Sequence, residues 1–114
     1  MPHQGRSVAV KRQACAPVFA ALGDETRLKL IARLSGGESR SISQLTEGLK
    51  LTRQAISKHL RVLEGAGIVH GVRAGRESLF EFDPAPLQQA KSYLEVVSEE
   101  WDQALGRLKS FVEK

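Results

Sequence analysis

The chain has few of the residues that mark disulfide-rich or membrane proteins. Its 114 residues, enough for one domain, include a single cysteine, Cys15, so no disulfide can form within the chain. A lone cysteine fits a reducing cytoplasm. No apolar run approaches the roughly 18 residues that a membrane-spanning helix needs, and residues 1–14 lack the apolar core of a signal peptide. We therefore expect a cytoplasmic protein that does not bind membranes.

Features that support catalysis are also missing from the sequence. It shows no set of nucleophile, base and orienting residue, no metal-ligand cluster and no phosphate-binding loop. Its glycines do not follow a predicted strand with the G-x-G-x-x-G spacing of a nucleotide site. We predict that the protein is not an enzyme and that it carries no metal and no cofactor.

Positive charge is concentrated in one segment of the chain. The net charge is +4, but residues 52–76 contain five basic residues against one acidic residue, whereas residues 77–114 contain four against eight. A local cluster of cations favours contact with nucleic acid phosphates. The acidic C-terminal segment should point away from the nucleic acid. Nucleoid association in the cytoplasm would follow.

The first half of the chain reads as short helices after an irregular arm. Residues 1–15 show no periodicity and are expected to form a disordered arm. A short helix then ends at Gly23, and Asp24 is a favourable N-cap for a second helix. A short strand is expected over Ser39–Ile42, followed by a helix capped by Ser43. The inward positions of the second helix are predicted to be Leu28, Ile31, Ala32 and Leu34.

The most informative helix of the sequence begins after Thr52 and ends at Gly65 and Gly67. Its apolar residues Ile56, Leu60 and Leu63 are spaced i, i+4, i+7 and should face the core. Arginine pairs with guanine and glutamine with adenine in the major groove, and Thr52 with the amides behind it suits a phosphate oxygen. The opposite, polar face carries Arg53, Gln54, Ser57, Lys58 and Arg61.

A basic β-hairpin follows this helix. We predict a strand over Ile68–Val72, a turn over Arg73–Arg76 and a return strand over Glu77–Phe82, with Phe80 and Phe82 on one face. The turn exposes two cations beside the helix, which is the arrangement of a winged helix-turn-helix. The predicted fold is therefore mainly α with a small β-hairpin wing (α+β). The predicted DNA-binding residues are Thr52, Arg53, Gln54, Ser57, Lys58, Arg61, Arg73 and Arg76.

A long C-terminal helix is predicted over residues 84–114, after a DNA-binding domain at 16–83 and within the same compact domain. Asp83 and Pro84 are favourable at a helix start. The apolar residues of the helix alternate steps of three and four, as in a coiled-coil seam, which predicts a homodimer. The alternative is that the helix packs against its own domain. The predicted interface residues are Leu87, Ala90, Leu94, Val97, Trp101, Ala104, Leu108 and Phe111.

Two histidines have separate expectations. His59 lies between the apolar stripe and the basic face of its helix, and we expect a partly buried structural histidine. His70 opens the first strand of the hairpin and is a candidate phosphate contact.

The segments ALGDETRLKLIARL, ISQLTEGLKLTRQAISKHLRVLEGAGIV and GRESLFEFDP resemble the ArsR family of bacterial transcriptional repressors over Phe19 to Pro84. The resemblance implies a homodimeric winged helix-turn-helix protein that binds an inverted-repeat operator and releases it on binding an effector. Family members that sense metals use a cysteine pair before the recognition helix, but residues 42–48 hold no cysteine or histidine. A second family site uses histidines on the C-terminal helix, which has none.

The acidic residues of that helix have no nitrogen or sulfur partners, and Cys15 has no second cysteine beside it. These acids are Glu95, Glu99, Glu100 and Asp102. We therefore expect a sequence-specific regulator of double-stranded DNA, a homodimeric repressor whose effector is unknown and is not a metal. The alternatives are a non-specific architectural DNA binder and a winged-helix adaptor that binds proteins.

Overall fold

Over residues 4–113, five helices and a small antiparallel sheet form the fold. In the computed structural model, residues 4–113 are described, with side chains from Val8 onward. The helices and strands are α1 (Gln4–Leu22), α2 (Glu25–Leu34), β1 (Arg40–Ser41), α3 (Ile42–Thr46), α4 (Arg53–Gly65), β2 (Val69–Ala74), β3 (Glu77–Phe82) and α5 (Ala85–Val112). The sheet order is β1-β3-β2. This is a winged helix-turn-helix with a long C-terminal helix, so the predicted mainly α fold with a hairpin wing is confirmed. No helix in the described part is long and apolar enough to span a membrane.

Helix α1 overturns the disordered arm that was expected over residues 1–15. Residues 1–3 lie outside the described residues, but the helix runs from Gln4 to Leu22. It is ordered by contact with α5: Arg12 Nε donates a hydrogen bond to the Tyr93 hydroxyl at 3.3 Å, and the rings of Phe19 and Tyr93 are 6.1 Å apart. Cys15 is buried in the same layer. The segment has no local apolar stripe, so its helical order depends on a partner far away in sequence.

Local capping explains where α2 and α3 begin. The Asp24 carboxylate accepts the backbone N–H of Arg27 at 3.0 Å, which confirms the predicted N-cap. For α3 the prediction was two residues too late, because Ser41 and not Ser43 is the cap. Ser41 Oγ accepts the N–H of Gln44, and Gln44 Oε1 accepts the N–H of Ser41, a capping box.

The core lies between α1, α2, α3, α4, the first residues of the hairpin and the start of α5. Ile56, Leu60 and Leu63 of α4 are almost fully buried, as predicted. In α2 the predicted stripe was partly wrong, because Leu30 is buried whereas Leu28 is 49% exposed and Ala32 is also exposed. The other fully buried large side chains are Leu34, Leu45, Ile68 and Val69.

The wing is a tighter hairpin than the sequence predicted. Arg73 pairs with Ser78 and Ala74 with Glu77, so the turn is reduced to Gly75 and Arg76. Gly75 has φ 62°, a left-handed conformation that glycine adopts at low cost and that suits a two-residue hairpin loop. Arg73 therefore lies in β2 and not in the turn.

Helix α5 is the longest element, at 28 residues or about 42 Å. Pro84 is its N-cap, and the Asp83 Oδ1 atom accepts the N–H of Ala85 at 3.0 Å. Its first half packs on α1 through Ala90 and Tyr93, and its second half extends beyond the domain core. The chain is accordingly elongated, 66 × 33 × 22 Å.

Candidate DNA interface

Helix α4 presents its polar face to solvent because its apolar face is used in the core. Thr52 Oγ1 accepts the backbone N–H of Ala55 at 3.1 Å and so starts the helix at Arg53. Burial of Ile56, Leu60 and Leu63 fixes the rotation of α4 about its axis. The rotation leaves Arg53, Gln54, Lys58 and Arg61 exposed and Ser57 partly exposed.

Five of the eight predicted DNA-binding residues line one surface hollow. Its volume is about 400 Å³ and its opposite wall is Ile42, the first residue of α3. The N-terminus of α3 therefore borders the face that would enter the groove. The five residues are Arg53, Gln54, Ser57, Lys58 and Arg61.

The cations of α4 and of the wing are not neutralised by neighbouring carboxylates. Within residues 4–113, no carboxylate oxygen lies within 4.0 Å of Arg53, Lys58, Arg61, Arg73 or Arg76. Surface cations without a partner are available to phosphate oxygens, and arginine can bind them in bidentate fashion. The arrangement therefore suits a polyanion with a regular backbone.

The wing continues from α4 through Ala66, Gly67 and the buried Ile68, which holds the base of the hairpin against the core. Arg76 at the tip and Arg73 on β2 are both exposed. The structure thus places the last two predicted residues on one hairpin.

His70 lies at the base of this hairpin, where it has a protein partner. Its Nε2 is 2.9 Å from Asp83 Oδ2. The Asp83 carboxylate has a pKa below its ordinary value, first because it accepts the N–H of Ala85 and then because it bonds to His70. This contact joins the wing to the start of α5.

Three arginines that contribute to the net positive charge of the sequence make hydrogen bonds within the folded protein. Arg33 Nη1 donates to the carbonyls of Leu45 and Glu47 and so supports the end of α3, and Arg40 Nε donates to the Arg33 carbonyl. Arg27 joins α2 to α1 and α4. Sequence reasoning missed these roles, because a buried carbonyl partner leaves no trace in composition.

The predicted dimer residues fall into three groups along α5. Ala90 is 3% exposed and packs inside the chain's own domain, so the structure contradicts its assignment to a dimer seam. Leu87 packs against the same core but is only partly buried, and its place in the seam stays a prediction. Val97 and Ala104 are partly buried. Four of the predicted residues are exposed: Leu94, Trp101, Leu108 and Phe111.

No group of three or more histidine, cysteine, aspartate or glutamate side chains lies close enough to hold a metal ion in the described part of the chain. The four acids of α5 named above, Glu95, Glu99, Glu100 and Asp102, are exposed along that helix. The expectation that the effector is not a metal stays a prediction.

Comparison with known proteins identifies the family. A family model described as "Helix-turn-helix domain" matches residues 22–72, which span α2, α3, α4 and the start of the wing. The HTH-type transcriptional regulator YuzN of Bacillus subtilis is 40% identical over 77 residues, covering 62% of this chain and 84% of that protein. The solved structure of an ArsR-like transcriptional regulator from Rhodococcus sp. RHA1 is 39% identical, with TM-score 0.74, and covers 87% of this chain and 92% of that one. The chain belongs to the ArsR family of transcriptional regulators.

A more distant neighbour shares the fold of this ArsR-family regulator. The homodimeric winged helix-turn-helix DNA-binding domain of Mb0332 from Mycobacterium bovis has TM-score 0.64 at 21% identity and covers 91% of this chain and 95% of that one. The helix-turn-helix family model and the relatives at 39–40% identity make the protein a DNA-binding transcriptional regulator. Helix α4 is the second helix of its helix-turn-helix, which in that motif is the recognition helix.

Proposed function

We propose that this ArsR-family regulator is a homodimeric repressor that binds an inverted-repeat operator through α4 and the wing. The observation that carries the proposal is the face of α4, where cations without carboxylate partners surround Gln54. Arg53 and Gln54 have the donor geometry to read base edges. In this proposal Lys58, Arg61 and the two wing arginines contact phosphates.

The dimer part of the proposal rests on the exposed half of α5. Trp101 is 64% exposed and Phe111 is 78% exposed, which is unusual for aromatic side chains in a chain with only six of them. They form one helical stripe with Leu94, Leu105 and Leu108. The best occupant is a second copy of this stripe, because identical apolar surfaces are self-complementary about a twofold axis. The winged helix-turn-helix domain of Mb0332, which has a similar fold, is homodimeric.

A twofold dimer gives the geometry of the operator. Two α4 helices would enter successive major grooves about 34 Å apart and read the half-sites of an inverted repeat. Repression, through occlusion of a promoter, is supported by relatives that are named as repressors, such as SdpR of Bacillus subtilis, which is 27% identical over 77 residues.

The experiment is fluorescence anisotropy on the DNA upstream of the protein's own gene, against scrambled duplex of equal length at about 150 mM salt. We expect a preference of about a thousandfold for the upstream DNA, with two chains bound per site. Equal binding to both duplexes would support an architectural DNA binder. No binding to either would support an adaptor that contacts proteins.

Two variants separate base reading from phosphate binding. Gln54→Ala should cost about 1–3 kcal/mol on the operator and relax the base preference. Arg76→Ala should weaken binding to all duplexes alike and lower the salt slope by about one per chain. Lys109→Ala is the matched control, since it removes one cation per chain from the end of α5 and should change neither quantity. A changed base preference in Arg76→Ala would make the wing a base reader.

A further inference from the structure

The Arg27 guanidinium lies where α1, α2 and α4 meet. Its Nε donates to the carbonyl of Ala21 at 2.6 Å, and its Nη2 donates to the carbonyl of Ala20 at 3.4 Å. Its Nη1 lies 3.1 Å from Nδ1 of His59 on the recognition helix. One side chain therefore ties the end of α1 to the middle of α4. Because α1 also packs on α5 through Tyr93, the same side chain connects α4 to the α1/α5 layer.

This contact places a requirement on the His59 ring. A guanidinium has donors and no acceptor, so a hydrogen bond between Arg27 and His59 forms only if Nδ1 accepts it. That bond therefore requires a neutral imidazole with its hydrogen on Nε2. Asp24 Oδ2 lies 3.7 Å from the same Nδ1, which is beyond hydrogen-bond distance, and it already accepts the backbone N–H of Arg27.

Protonation of His59 would exchange its partners. The added hydrogen on Nδ1 turns the acceptor into a donor, so the bond from Arg27 is lost and two cations face each other at 3.1 Å. The same hydrogen favours a turn of the ring toward the Asp24 carboxylate. Within the described residues, Arg27 and Asp24 are the charged side chains that hydrogen-bond or ion-pair with His59. With 23% of its side chain exposed, His59 can exchange protons with water.

We propose that Arg27 and His59 are positioning residues for DNA recognition, and that neutral His59 holds α4 in the pose that binds DNA. Histidine changes charge between about pH 5 and 8. Acidification would then detach the middle of α4 from Arg27 and weaken operator binding. The inference rests on the proposed sequence-specific function, because its readout is affinity for the operator.

The predicted sign is opposite to the ordinary effect of acid on protein–DNA affinity. Exposed histidines gain positive charge as the pH falls, and added cations strengthen binding to phosphates. We expect the wild type to lose about tenfold in operator affinity between about pH 7.5 and pH 5.5. His59→Gln should lose none, because its amide oxygen accepts from Arg27 at every pH. His70→Gln is the matched control and should keep the loss.

A second measurement on the wild type does not depend on any variant folding. Long-range ¹H–¹⁵N NMR spectra report which ring nitrogen of each histidine carries the hydrogen. At about pH 7.5 we expect His59 to be the Nε2–H tautomer, and an Nδ1–H tautomer would overturn the inference. If the wild type prefers its operator but its operator affinity has the same pH dependence as that of His59→Gln, the inference about Arg27 and His59 is overturned and the proposed function is not. A wild type without sequence preference at the higher pH would refute the proposed function and this inference with it.

Discussion

Replacement of Trp101 by alanine is the sharpest test of the proposed dimer. The side chain is 64% exposed in the single chain, where nothing in its own domain covers it. A free tryptophan side chain exposes about 250 Å², so about 160 Å² remains for a partner to bury. At about 25 cal/mol per Å², full burial would contribute about 4 kcal/mol per protomer.

The expected effect on the dimer follows from this area. Each dimer contains two copies of Trp101, so the upper limit is about 8 kcal/mol. If the partner covers only half of the exposed area and the alanine methyl group keeps part of the contact, about 3 kcal/mol is lost in total. The dimer dissociation constant should then rise by at least about a hundredfold.

Sedimentation equilibrium over about 0.1–100 µM measures this constant directly, because dimer stability depends on concentration. Leu28→Ala is the control, since Leu28 is 49% exposed on α2, away from α5, and its loss should leave the dimer unchanged. Equal dissociation constants for wild type and Trp101→Ala would show that the stripe is not the interface. A wild type that stays monomeric throughout would refute the homodimer itself.

Three further predictions concern the recognition helix, acid and metals. Thr52→Ala removes the N-cap of α4 and should lower the free energy of unfolding in urea by about 1 kcal/mol, whereas Thr52→Ser should keep it; equal stability of all three proteins would mean that the cap contributes nothing. The Asp24 and Asp83 carboxylates have pKa values below 3.8, and the largest cause is that they accept hydrogen bonds from the backbone N–H groups of Arg27 and Ala85, respectively. These two carboxylates stabilise the folded protein at pH values above 3.8, and this stabilisation is lost as the pH falls through their lower pKa values in the folded protein. At pH values below about 4, the urea concentration at the unfolding midpoint should therefore decrease, and it should decrease less in the Asp24→Asn, Asp83→Asn double variant. Zn²⁺, Cd²⁺ and arsenite should leave operator affinity unchanged in the anisotropy assay, and a clear loss with any of them would reveal a metal site.

The recognition helix was predictable because its signals are local. Thr52 caps a helix whose turn-by-turn spacing of Ile56, Leu60 and Leu63 sets the buried face, and the exposed face then follows. The hairpin was predictable from Gly75 between two alternating segments. The errors in both regions were of one or two residues. Ser41 is the cap because β1, which pairs with β3, ends there, and Arg73 is part of a strand because it pairs with Ser78 of β3.

The same local logic failed for α1 and for the first turns of α5. Helix α1 contacts Tyr93, which lies 81 residues after Arg12 in the sequence. No pattern within α1 predicts that contact. Conversely, Ala90 continues the apolar periodicity of α5, but it is already buried in the chain's own core. A helical period shows which residues share a face and does not show whether that face meets the same chain or another.

The sequence by itself determined the winged helix-turn-helix and the exposed face of α4, because caps, helical periods and hairpin turns depend on neighbours within a few residues. It also determined the family, through the resemblance of its segments to ArsR-family regulators. The tertiary structure alone decided the order of α1, the division of α5 into a packed and an exposed half, and the link from Arg27 to His59. Those features join residues from 32 to 81 positions apart. Their energies come from contacts that exist only once the chain has folded, since a contact between Arg27 of α2 and His59 of α4 requires both helices to be in place.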